Sequence, residues 1–223
     1  MLSVLLAGCA RSPEGAATLT IREISFRINF NGPINDNYFY FVVIDTSGGG
    51  DGPTPIFPGN TPTEGWFTGQ ENPDENTIIN YYVQYHQRLY TLYKVTSLQP
   101  FRSEPIGAPT RSTLPEFGGS TLAFTIDIND PNAINATGDS VDINIIAVDD
   151  PLSDTRLIDG LGSLGTSFLA EVDILTDRTI TNAGYGLIPE GPDDVLNQNI
   201  EVQPESDQTN PLDIIDWSIT ANV

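Results

Sequence analysis

Residues 18–30, TLTIREISFRINF, decide how the rest of the chain is read. Apolar side chains stand at every second position: Leu19 and Ile21, then Ile24, Phe26, Ile28 and Phe30. A spacing of two places them on one face of an extended strand, whereas a helix would need steps of three and four. The phase changes once, at Arg22-Glu23. One extra residue there, a β-bulge, would keep both sets facing a core.

The same period recurs on either side. NYFYFVVID (37–45) is apolar on both faces from Tyr38 to Ile44, as expected of a central strand covered on both sides. TIINYYVQYHQRLYTLYKVTSL (77–98) predicts two strands joined near Gln87. In the first, Ile79, Tyr81, Val83 and Tyr85 share a face opposite Asn80, Tyr82, Gln84 and His86; the second continues through Leu89, Thr91, Tyr93 and Val95. Residues 99–120 are a Pro-rich connection. STLAFTIDI (120–128) turns Leu122, Phe124, Ile126 and Ile128 inward, and SVDINIIAVD (140–149) does the same with Val141, Ile143, Ile145 and Ala147. These two are expected to pair antiparallel across the loop at 129–139. Further strands are predicted at SFLAEVDIL (167–175), QNIEVQ (198–203) and DIIDWSIT (213–220), the last with Ile215, Trp217 and Ile219 on one side. RLIDGLGSLG (156–165) fits a helical turn or a short strand.

Eight or nine strands without alternating helices predict an all-β fold, a β-sandwich of immunoglobulin-like or jelly-roll style with long Gly/Pro-rich loops. No clean polar linker divides the chain, so residues 18–223 are expected to form a single domain. The longest predicted loop, 46–76, carries Ile56-Phe57 and Trp66-Phe67, apolar groups that lead us to expect partial packing over the domain.

Charge narrows the function. Thirty acidic residues against nine basic ones give a net charge of −21, with Lys94 the one lysine. Phosphate polymers require Lys and Arg to displace counterions, so nucleic acid is excluded as a partner, as is an electrostatic grip on anionic lipid. Such acidity suits a solvated extracytoplasmic surface, a calcium-binding surface, or a halophilic or carbohydrate-rich setting.

The lone cysteine, Cys9, stands at the end of MLSVLLAGCA. Leu6-Ala7-Gly8-Cys9 resembles the lipobox of bacterial lipoproteins, in which a peptidase cuts before the cysteine and the new terminal cysteine is acylated. The resemblance implies a signal peptide at 1–8, lipidation of Cys9, a tether at 9–17, and an extracytoplasmic domain anchored to a bacterial membrane. Two or three acyl chains hold firmly where one holds marginally. No Lys or Arg precedes the apolar run, so we expect the true start codon upstream of Met1.

Chemistry is sparse. His86 is the only histidine and no Gly-x-Ser-x-Gly elbow occurs, which leaves a Ser-His-Asp triad without support and His86 as a satisfied strand residue. Zinc lacks its usual His and Cys donors. Between 127 and 142 the residues Asp127, Asn129, Asp130, Asp139 and Asp142 gather oxygen donors around the predicted β-turn, and calcium is the cofactor they suit. DINDPNA (127–133) is also similar to the Asp-x-Asn-Asp-Asn segment of cadherin calcium linkers, with Pro131 in place of the second Asn. The competing reading is a solvated loop of turn formers. For a ligand, Tyr82, His86, Arg88 and Tyr90 around one hairpin, or Trp66 and Phe67 in the long loop, offer rings on which a sugar stacks; ordinary strand packing is the alternative.

These features predict a membrane-anchored lipoprotein that acts as a non-enzymatic binding or surface-display module, with carbohydrate or a surface protein as partner. An alternative is a structural subunit of a surface fibre or layer, assembled by strand addition through the terminal DIIDWSITANV. A secreted carbohydrate-active hydrolase, needing paired carboxylates in a cleft, is the third reading.

Overall fold

The computed structural model describes residues 22–46, 79–98, 101–130, 133–151, 153, 156–161, 170–185, 195 and 203–223. Within them the chain is a sandwich of two antiparallel sheets. The strands are β1 (Glu23–Phe30), β2 (Phe39–Asp45), β3 (Tyr81–His86), β4 (Leu89–Leu98), β5 (Phe101–Gly107), β6 (Arg111–Thr113), β7 (Thr121–Asp127), β8 (Ser140–Val148), β9 (Ile158–Gly160), β10 (Ala170–Asp173), β11 (Arg178–Thr181) and β12 (Ile214–Asn222). A single 3-10 turn spans Asn182–Tyr185. No described helix is long and apolar enough to cross a membrane.

One sheet runs β11-β12-β1-β7-β6 and the other β10-β8-β2-β3-β4-β5, with β9 beside the far end of β8. The alternation in 24–30 does what its period demands: Ile24, Phe26, Ile28 and Phe30 enter the core. There they meet Tyr40, Val42 and Ile44 of β2 and Val141, Ile143, Ile145 and Ala147 of β8, from the opposing sheet. The alternate residues of β2, Phe41 and Val43, join Ile146 and Val148 of β8 in a second buried cluster on the sheet's other face. β2 is therefore covered on both sides, as its uninterrupted apolar run requires.

Several expectations are corrected. β7 and β8 do not pair: β7 lies between β1 and β6, and β8 lies beside β2 in the opposite sheet. Alternation sets which face of a strand is buried and carries no information about its neighbour. The connection 99–120 contains two strands, β5 and β6. β5 is an edge strand, where Pro105 opposite Tyr93 forfeits no ladder bond that a central strand would need. The bulge expected at Arg22-Glu23 adjoins Leu19 and Ile21, which lie outside the described residues. The register of β1 against β12 shifts at Asn29/Phe30, with the extra residue on β12. That register shift turns Ile214 inward in place of the expected Ile215, ahead of Trp217, Ile219 and Ala221. Ile79 belongs to the outer cluster, apart from Tyr81, Val83 and Tyr85: the alternation breaks at Asn80, whose side-chain oxygen accepts from Thr46 N at 2.7 Å. RLIDGLGSLG yields the short strand β9, and Gln203 is the one described residue of QNIEVQ. The loop 46–76, apart from Thr46, and Phe168 lie outside the described residues.

Candidate functional site

At one end of the sandwich the connection Asn31–Tyr38 between β1 and β2 meets the segment 203–213 that leads into β12. The sequence NGPINDNY is a run of turn formers, and each uses its chemistry locally. Asn37 N donates to Asn35 Oδ1 at 3.1 Å, an Asx turn, and Tyr38 N donates to Asn35 O at 2.9 Å. Across the junction Asn31 N donates to Asp213 O at 2.9 Å, Asn31 Nδ2 to Asp213 Oδ2 at 2.9 Å, and Gly32 N to Asn210 O at 2.8 Å. The Tyr40 hydroxyl accepts from Asn35 N at 3.0 Å and donates to Pro211 O at 3.1 Å. The facing segment is knotted in the same manner: Ser206 N donates to Asn210 Oδ1, and Thr209 N to Ser206 Oγ.

Gly32 is required by the close approach. A Cβ there would stand 2.8 Å from Asn210 Cβ and 2.9 Å from Asn210 C. Gly32→Ala is therefore expected to cost about 1–3 kcal/mol by forcing the two segments apart, with a lower urea midpoint as the readout.

Beneath this junction sits Asp36. Its Oδ1 accepts from the Tyr85 hydroxyl at 2.6 Å, its Oδ2 from Arg88 Nη1 at 3.3 Å, and its carbonyl from Gln87 N at 2.7 Å. Burial, together with the Asp36 carboxylate, pushes the Tyr85 phenol above its ordinary value. Gln87 and Arg88 form the two-residue turn between β3 and β4 with φ of 51° and 60°. Such turns favour Asn-Gly because both residues adopt the left-handed region. Here two ordinary side chains hold it, and the bonds to Asp36, with Arg88 Nη2 donating to Pro115 O at 3.2 Å, supply the constraint. The Arg88–Asp36 pair is well exposed and orients the turn more than it stabilises it.

Between the two segments lies an open groove of about 470 Å³, lined by Pro33, Ile34, Asn35, Asp36, Asn37, Asp207, Asn210 and Pro211. Pro33 and Ile34 give it an apolar patch, with Pro211 buried at its base. The amides and carboxylates give it donors and acceptors, with Asn37 and Asp207 exposed.

The residues singled out from sequence are placed otherwise. Tyr82 is buried on the outer face of its sheet, stacked on Tyr93 at 4.7 Å, while Tyr90 is buried in the core and donates to Thr113 O. Burial raises both phenols to about 12. His86 is satisfied: its ring stacks on Phe39 at 3.9 Å and Nδ1 donates to Tyr38 O at 3.1 Å. Arg88 lies in the turn, so the four do not share one surface. Asp127 ends β7, where its Oδ1 accepts from Asn129 N, and Asn129 bridges to Asn135. The Asp130 carbonyl accepts from Ala133 N and that of Asp139 from Ile174 N. Asp142 is buried on β8, opposite Asp45 and Glu171, in the sheet that does not contain Asp127. The shared outward face on which the calcium expectation rested is thus absent. Among the described residues no three His, Cys, Asp or Glu side chains gather as metal ligands. Asp149 is raised by burial, against the pull of Leu157 N and Asp150 N, and lies outside the groove. Cys9, Trp66 and Phe67 lie outside the described residues.

Comparison with protein-family models, with curated proteins and with solved structures returns no match to this chain. The groove was not legible in the sequence. NGPINDNY and SDQTNP each read as a loop, and nothing in either says that they meet.

Proposed function

We propose that this chain is a lipid-anchored extracytoplasmic protein of a bacterial membrane whose β-sandwich binds or displays and does not catalyse. The observation that carries the reading is Leu6-Ala7-Gly8-Cys9, a match at all four lipobox positions ending on the lone cysteine. A chain with one cysteine, whose fold stands on packing without internal disulfides, and a formal net charge of −21 support it, because an anchored domain must stay folded and soluble at the membrane face without covalent staples.

The test is the intact mass of the protein expressed from its genomic start and extracted from membranes with detergent. The expected product begins at Cys9 and carries the added mass of two or three acyl chains; Cys9→Ser abolishes that mass and the membrane association. An unmodified chain retaining Met1 would refute the anchor.

A second reading, a fibre subunit assembled by strand addition, draws on one observation. β12 is an interior strand of its sheet, paired to β1 on one side and β11 on the other. A strand that fills an interior slot of a sheet is the kind of element that strand exchange uses. A monomer at all concentrations, with the amides of β12 protected from exchange, would remove this reading.

A further inference from the structure

We propose that the groove between Pro33–Asn37 and Asp207–Pro211 is the binding site, and that its ligand is a neutral oligosaccharide. This rests on the binding half of the reading above and is independent of the anchor.

The volume, about 470 Å³, falls within the range of small-ligand sites and accommodates a few sugar rings. Its chemistry is divided as a sugar's is. Pro33 and Ile34 offer aliphatic surface to the C–H face of a pyranose; Asn35, Asn37 and Asn210 surround it with amides that both donate and accept, and Asp207 adds a carboxylate that accepts. A carboxylate accepts from two adjacent hydroxyls at once, and a side-chain amide donates to one hydroxyl while accepting from the next. Among the described residues the side chains of Asn37 and Asp207 make no hydrogen bond, so both are available to a ligand. Asp36 and Asp207, on a chain of net charge −21, oppose an anionic ligand.

The walls are pre-organised. The hydrogen bonds from Asn31, Gly32 and Tyr40 to the 210–213 segment hold the two sides at a set spacing. Rigid walls remove the ordering cost that otherwise weakens the recognition of flexible, well-hydrated sugars.

The experiment uses the full chain carrying Cys9→Ser, which is independent of lipidation. It is titrated calorimetrically with cellohexaose, mannohexaose, xylohexaose and chitin hexasaccharide, with hexagalacturonate as the anionic comparison. At least one neutral hexasaccharide is expected to bind with Kd of about 10 μM to 1 mM, the anionic one not at all. The double variant Asn37→Ala/Asp207→Ala should weaken that binding about tenfold or more while its thermal midpoint stays at the parent value, both side chains being exposed. Three outcomes overturn the proposal: no neutral hexasaccharide binds at millimolar concentration, the double variant binds as the parent does, or binding vanishes on chelation of calcium, which would make the groove a cation site. The acyl mass of the wild-type chain is read separately, so a failed groove and a failed anchor are distinguishable.

Discussion

Trp217→Ala is expected to destabilise the protein by about 3–5 kcal/mol, against a total of roughly 5–15 kcal/mol for a domain of ordinary stability. Trp217 is 2 % exposed, lies opposite Ile28 on the neighbouring strand, and belongs to the same core as Ile219 and Ala221. Its removal leaves a cavity that β12 cannot close, because that strand is held in register on both sides. Urea unfolding followed by tryptophan-independent far-UV dichroism provides the measurement. Ser218→Ala, one position along and on the other face, should change stability by no more than about 0.5 kcal/mol. Equal effects from the two substitutions would mean that β12 does not seal the core, and would strengthen the view that its natural place is in another subunit.

The second large effect is alkaline unfolding. Tyr40, Tyr82, Tyr85 and Tyr90 are each buried, and desolvation raises all four phenols. Each hydroxyl is also committed: to Pro211 O, Ser103 Oγ, Asp36 Oδ1 and Thr113 O respectively. The folded values lie above the unfolded value near 10, so the contribution to stability is complete below pH 10 and is lost as pH rises through the folded values. Each phenol kept protonated above pH 10 costs the fold about 1.4 kcal/mol per pH unit. Four of them withdraw roughly 5 kcal/mol by pH 11, comparable with the whole stability of a marginal domain. Tyrosinate absorbance and far-UV dichroism should therefore change together in one cooperative step between about pH 11 and 12. Smooth ionisation of all eight tyrosines near pH 10 with the dichroism intact would show that these rings are open to solvent.

β2 and the β3–β4 pair were legible because their signals are local. Tyr38–Ile44 is apolar at every position, and a strand has two faces to bury. Gln87-Arg88 separates two alternating runs by the length of a two-residue turn. The inward faces of β1, β7 and β8 followed from the same period. The acidic residues misled because the predicted pairing of β7 with β8 joined Asp127 to Asp142 on one surface, whereas the chain crosses between sheets within 128–139. The aromatic residues Tyr82 and Tyr90 misled because a tyrosine on a strand offers the same letter whether its ring faces solvent or a core.

Side-chain periodicity alone, therefore, determined that the chain is all-β and which faces its main strands bury, because burying every second residue is a constraint each strand satisfies by itself. Leu6-Ala7-Gly8-Cys9 likewise states its proposal within four residues. Only the tertiary structure decided which strands other than β3 and β4 are neighbours, that β12 is interior, and that NGPINDNY faces SDQTNP across a groove. The last of these joins segments more than a hundred residues apart, held by the hydrogen bonds of Asn31, Gly32 and Tyr40 and by close packing at Gly32, and no local pattern encodes it.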